Sequence, residues 1–224
     1  MRVVLSRSAW FLLFLWSLIS GVAEGQSAVV VHHQVKLGEV QVLLGEWQKS
    51  DSNVSVRIDK LRWYVSLPPA GKKGSKAWLL DLADSASLDQ QMSRPVNNRI
   101  SLLFGIDSAI QVGGVGTGAL DPLRGMYWTW QTGYVQWKME GAIRVDGLES
   151  PLELHLGGFD GATKSQSMLS DYLIYPTTNS VIAQWNISPF LVEVVRRKKF
   201  GVMSPSPIAR DYCRIIANGV SFHK

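Results

Sequence analysis

The chain has 224 residues, of which 46% are hydrophobic and 18% charged, with 20 Gly, 9 Pro and one Cys. That balance excludes disorder, collagen, a coiled coil and a disulfide-stapled miniprotein. The formal net charge of +5 comes from cations scattered along the chain apart from Arg196-Arg197-Lys198-Lys199, so charge gives no reason to expect nucleic acid as a partner.

Arg2 and Arg7 precede an apolar stretch from Ala9 to Ile19, and Ala23 and Gly25 supply small residues before Gln26. The pattern predicts a signal peptide over 1–25, export to the periplasm or beyond, and one mature domain over 26–224. An uncleaved membrane anchor is the alternative. No later segment is apolar for the roughly eighteen residues a span requires, so no integral membrane segment is expected in the mature chain. Cys213 stands alone and cannot form an internal disulfide; its place in a C-terminal apolar pattern suggests a small buried hydrophobe.

Val29, Val31, His33, Val35 and Leu37 alternate with Val30, His32, Gln34 and Lys36, the period of a strand, with His33 on the more apolar face. Val54, Val56 and Ile58 alternate again, and Leu61, Trp63 and Val65 resume after a phase slip at Asp59-Lys60 that a bulge would accommodate. A turn or loop at 68–74 follows. Further strands are predicted over 77–82, 99–106, 125–145 with a break at 131–133, 151–157 and 181–187. The Gly-rich segment 107–125 reads as an ordered, irregular loop. Gly113-Gly114-Val115-Gly116-Thr117-Gly118 lacks the Lys-Ser/Thr of a phosphate loop and the following helix of a dinucleotide fingerprint. Near the end, Ile208, Tyr212, Ile215 and Ile216 fall at helical spacing behind Ser206-Pro207, and Asn218-Gly219 stops the run. The expected fold is all-β: a β-sandwich of mostly antiparallel strands with one C-terminal helix, a closed barrel being the runner-up.

The four histidines are His32, His33, His155 and His223, and no Gly-x-Ser-x-Gly elbow accompanies them. Without a nucleophile and base arrangement the chain is not expected to be an enzyme. An imidazole at His33 among valines is costly unless hydrogen-bonded or ligated. His155 lies near a strand end, on the face opposite Leu152, Leu154 and Leu156. Two imidazoles from separate strands suit copper better than Ca²⁺ or Mg²⁺, which take oxygen ligands. Satisfied structural histidines are the competing reading. His32 neighbours His33 but points to the other face, which makes it a secondary metal candidate. Seven tryptophans lie beyond the leader, and Tyr127, Trp128, Trp130 and Tyr134 crowd one short segment. That stripe reads as core, as a platform for carbohydrate, or as tryptophans oxidised in making a site.

Several segments together resemble the MbnP-like family of exported bacterial proteins associated with copper. The sharpest element is Gly118-Ala119-Leu120-Asp121-Pro122, followed by Gly125-Met126-Tyr127-Trp128-Thr129-Trp130-Gln131-Thr132-Gly133-Tyr134 and Glu140-Gly141. His33-Gln34-Val35, Leu61-Arg62-Trp63-Tyr64-Val65-Ser66, Phe104-Gly105-Ile106-Asp107 and Leu154-His155-Leu156-Gly157-Gly158 support it. The resemblance implies a periplasmic β-rich protein that binds copper, with Cu(I) suited to a low-coordinate imidazole site. It implies His33 and His155 as ligands, Trp128 or Trp130 as a site wall or a tryptophan converted to kynurenine, and a di-haem partner of the MauG and cytochrome c peroxidase type. Two departures limit the transfer: Gly158-Phe159-Asp160-Gly161 stands where the four-cysteine branch has a Cys, and no Trp-x-His triplet occurs.

The leading expectation is therefore an exported, non-enzymatic copper-binding protein for storage, delivery or homeostasis. The alternative is a structural or interaction module that holds a protein or glycan on the aromatic stripe without metal. A shared ion would bring the imidazoles of His33 and His155 within roughly 3–4.5 Å, because metal–nitrogen bonds are about 2 Å long.

Overall fold

A computed structural model describes residues 28–68, 76–129 and 131–224. The predicted leader, most of the turn at 68–74, and Trp130 lie outside the described residues. In chain order the strands of the first half are β1 (Ala28–Leu37), β2 (Val40–Gln41), β3 (Trp47–Asp51), β4 (Val54–Ser66), β5 (Ala77–Asp81), β6 (Asp89–Ser93), β7 (Arg99–Ile100) and β8 (Leu103–Phe104). Helix α1 (Ser108–Val112) precedes β9 (Tyr127–Thr129), β10 (Gly133–Val145), β11 (Leu148–Gly157), β12 (Ser167–Met168), β13 (Tyr172–Leu173) and β14 (Ser180–Asn186). Helix α2 (Ser188–Arg197), β15 (Gly201–Val202), α3 (Pro207–Asn218) and β16 (Val220–His223) complete the order.

Two main sheets carry the fold. The first runs β16-β14-β1-β2, with β6 also paired to β1, and its central pair β1–β14 is parallel. The second runs β12-β8-β4-β10-β11-β15, with β3 and β5 on β4 and β9 on β10. The expected all-β, mainly antiparallel fold is observed. The expected bulge is there as well: Glu140 faces Lys60 while Gly141 faces Ile58, which leaves Asp59 as the extra residue.

The helices depart from expectation, because α1 and α2 join the predicted C-terminal α3. Helix α2 was hidden by its composition: Val192, Val194 and Val195 favour a strand locally, yet Phe190, Leu191 and Val194 form one buried helical face. The predicted strand at 99–106 is cut into β7 and β8, and β3, β6 and β16 appear where none was predicted. Helix α3 starts and stops as its sequence signals: the Ser206 Oγ accepts from Ala209 N, Pro207 opens the helix and Gly219 caps it. Cys213 is buried on it.

The core lies between the sheets. Leu80, Trp63, Trp137 and Leu156 form one transverse row across β5, β4, β10 and β11, each with no exposed surface. Trp185 of β14 meets that row from the facing sheet, its ring centroid 5.4 Å from Trp63 and 6.2 Å from Trp137. Burying each large aromatic contributes on the order of 3 kcal/mol.

Candidate metal centre

Alternation along β1 sends His33 inward and His32 outward. His33 is 2% exposed. The Trp185 indole N–H donates to His33 Nδ1 at 3.0 Å, and His33 Nε2 lies 2.9 Å from Gln90 Oε1. Indole nitrogen can only donate, so Nδ1 must be the acceptor, and Nε2 carries the proton that Gln90 receives. Both ring nitrogens are thereby engaged. Burial holds the imidazole neutral and lowers its pKa to about 4, against a smaller upward pull from the Gln90 contact.

His155 occupies the other side of the second sheet. Its neighbours Leu154 and Leu156 point into the core, while His155 shares the outer face with Lys138, its partner on β10. The sheet that carries Trp63 and Trp137 on its inner face therefore separates His155 from His33. The structure does not bring the two expected ligands together, and a single ion held by both does not fit this arrangement. Strand alternation fixed each side chain's face correctly, but which sheet face meets the opposite sheet is set by nonlocal packing.

Glu140 organises the surroundings of His155. Its Oε1 lies 2.8 Å from His155 Nε2 and 3.2 Å from Lys138 Nζ, and its Oε2 accepts from Lys60 Nζ at 2.6 Å. Burial pushes the carboxyl up, yet the hydrogen bonds from Lys60, His155 and Lys138 outweigh it and hold its pKa at about 2. The His155 pKa is lowered by burial and by Lys138, against the upward pull of Glu140. At neutral pH the contact is thus a neutral imidazole N–H donating to a carboxylate. Nδ1 keeps its lone pair, and no described residue donates to it. A carboxylate orienting one ring nitrogen so that the other can ligate is a common second-layer arrangement at metal sites.

Trp128 lies on the same outer face. A Cβ added at Gly157, two residues along from His155, would come within 2.8 Å of the Trp128 ring, so the indole packs directly on the glycine. Two tyrosines hold the segment before it, where helix α1 occupies the start of the predicted loop. Tyr64 OH donates to Ala119 O at 2.7 Å, and Tyr134 OH donates to Leu120 O at 2.8 Å while accepting from Gly116 N at 2.9 Å. Tyr64, Ile106, Met126, Tyr134 and Val135 form a second small core beneath the loop. This clamp was invisible in the sequence, where Tyr64 reads as an outward residue beside the inward Trp63.

His32 is half-buried and its Nδ1 lies 2.7 Å from Asp89 Oδ1. Register aligns Asp89, His32, Ile182 and His223 across four strands, so the strand carrying Ile182 separates the two histidines. No group of three or more His, Cys, Asp or Glu residues suited to hold a metal occurs among the described residues. No described helix is long and apolar enough to cross a membrane.

These features define a two-sheet, β-rich protein whose tryptophan core is sealed and whose histidine, carboxylate and aromatic cluster lies on an outer sheet face. The family model MbnP matches residues 26–193, and the chain belongs to the MbnP family. Among solved structures it is similar to MbnP from Methylosinus trichosporium, with 13% identity, a TM-score of 0.48, and coverage of 74% of this chain and 77% of that one. No curated protein matches the chain.

Proposed function

We propose that the chain is an exported, non-enzymatic, copper-associated protein whose metal-facing histidine is His155. Family membership supports the general association with copper. The observation that carries the residue assignment is the difference between the two histidines: His33 spends both nitrogens inside the core, whereas His155 has Nε2 oriented by Glu140 and no donor to Nδ1 among the described residues. Trp128 supplies an aromatic wall on the same face. Storage or delivery of Cu(I), and processing by a di-haem redox partner, belong to this reading as its finer parts.

Anaerobic titration of the mature protein with Cu(I) tests it, comparing wild type with His155→Ala and His33→Phe. Uptake should weaken by roughly tenfold or more in His155→Ala, as expected for loss of a ligand, and persist in folded His33→Phe. Unchanged uptake by His155→Ala overturns the assignment. A second reading, an interaction module, is favoured by Leu123, which is 94% exposed on the clamped loop. It predicts no stoichiometric copper in either variant or wild type.

A further inference from the structure

Helices α2 and α3 bring together charges that are far apart in sequence. Glu193 binds Arg196 at 2.6 Å and also pairs with Arg197. Asp211 lies 3.5 Å from Arg197, 3.0 Å from Arg210 and 3.6 Å from Arg214. Four guanidiniums thus share two carboxylates. Lys198 and Lys199 continue the cluster into a cleft of about 410 Å³ that Ser150, Glu153 and Phe200 also line. Six cations against three carboxylates give this one patch an excess of three, more than half of the chain's formal +5.

Helix stabilisation accounts for part of it. Arg196 and Arg197 complement the C-terminal end of the α2 dipole. The same explanation does not reach Arg210 and Arg214 on α3, or Lys198 and Lys199 beyond the end of α2. The Arg196 and Arg214 side chains are 66% and 67% exposed, so their unused donors face solvent. Guanidinium is a planar, weakly hydrated donor suited to bidentate carboxylates, and Arg is enriched where proteins meet. Val192, 55% exposed and one helical turn before Arg196, adds an apolar contact to the same face.

We propose that the α2–α3 arginine patch docks an acidic surface of a protein partner. Its composition favours a protein over a bilayer: four guanidiniums suited to bidentate carboxylates stand beside the exposed Val192.

The probe is a glutamate decapeptide titrated into the isotope-labelled mature protein and followed by amide chemical shifts, with phosphatidylglycerol vesicles tested in parallel by cosedimentation. Shifts should concentrate at 196–199 and 210–214. Affinity should fall by roughly tenfold in Arg196→Glu/Arg214→Glu and by less than about twofold in the control Lys76→Glu/Arg99→Glu, both weakening with salt. Lys198→Glu/Lys199→Glu alters the patch without touching the helix–helix ion pairs, and should reproduce the loss if the first variant misfolds. Shifts spread over all basic residues, or equal losses in control and patch variants, overturn the proposal. So does vesicle binding that depends on the patch when the peptide gives no localised shifts.

Discussion

The indole N–H of Trp185 donates to Nδ1 of His33 between neighbouring strands on the core face of the first sheet, and that bond fixes which nitrogen of the imidazole carries its proton. His33 is consequently part of the packing: it joins β14 to β1 through Trp185 and β1 to β6 through Gln90. The tryptophan cluster packs around it, with Trp63 6.5 Å and Trp185 6.0 Å away between ring centroids.

Replacing His33 by Ala leaves the Trp185 N–H without its acceptor and opens a cavity. Urea denaturation at pH 7 should show a loss of about 2–4 kcal/mol, the usual range for a buried cavity with an orphaned donor. A loss below about 1 kcal/mol would mean that the hydrogen bond has little weight.

The same residue makes stability fall in acid. In the unfolded chain His33 takes up a proton near pH 6.5, but in the folded core only near pH 4. Its contribution is therefore complete above about pH 6.5 and is lost as the pH falls toward 4, by about 3 kcal/mol in all. His33→Phe, less stable at neutral pH, should lose less between pH 7 and pH 4. Parallel slopes in the two proteins would contradict this. Glu140 acts in a separate window, below its ordinary range and toward pH 2.

Much of the local architecture is legible in the residues themselves. The alternation of β1 places His32 and His33 on opposite faces, the slip at Asp59-Lys60 marks the bulge, and Ser206-Pro207 marks the start of α3. The separation of His33 from His155 was not legible, because each strand's alternation is local while the order and facing of sheets depend on contacts such as Trp185 against Trp63. Glu140 was visible only as part of a motif; its role needed the register that sets it beside His155 and Lys60. Gln90, the second partner of His33, lies in a strand with no apolar signal strong enough to predict it.

The charges around His155 act in opposite directions and can be separated. Glu140 raises its pKa and Lys138 lowers it, while burial keeps it below the ordinary value. In an NMR titration, Glu140→Gln should move the His155 midpoint further down and Lys138→Met should move it up. The same direction of shift in both variants would show that repacking, not charge, dominates.

Gly157 is small for a local reason that bears on the site. An added methyl would come within 2.7 Å of Tyr134 O and 2.8 Å of the Trp128 ring. The backbone oxygen cannot yield without disturbing the β10–β11 pairing, so the strain is shared between strand and indole. Gly157→Ala should cost about 1–3 kcal/mol, typical of overpacking, and should change the environment of Trp128. Trp128→Phe in the same background isolates the fluorescence of that residue by difference. An unchanged difference spectrum, with full stability, would place the Trp128 ring away from Gly157.

The tyrosine clamp gives the last prediction. Tyr134 OH serves Gly116 N and Leu120 O at once, and its removal leaves both loop groups to find water. Tyr134→Phe preserves the ring, which packs edge-on against Tyr64 with centroids 5.9 Å apart, so the second core should survive. Stability should fall by about 1–2 kcal/mol, while local opening of the loop rises more than global unfolding does. Hydrogen exchange separates the two: the amides of Gly116 and Leu120 should lose protection, and those of Trp63 and Trp137 in the main core should keep theirs. Equal loss at all four amides would make the hydroxyl part of the global fold rather than a clamp on the loop.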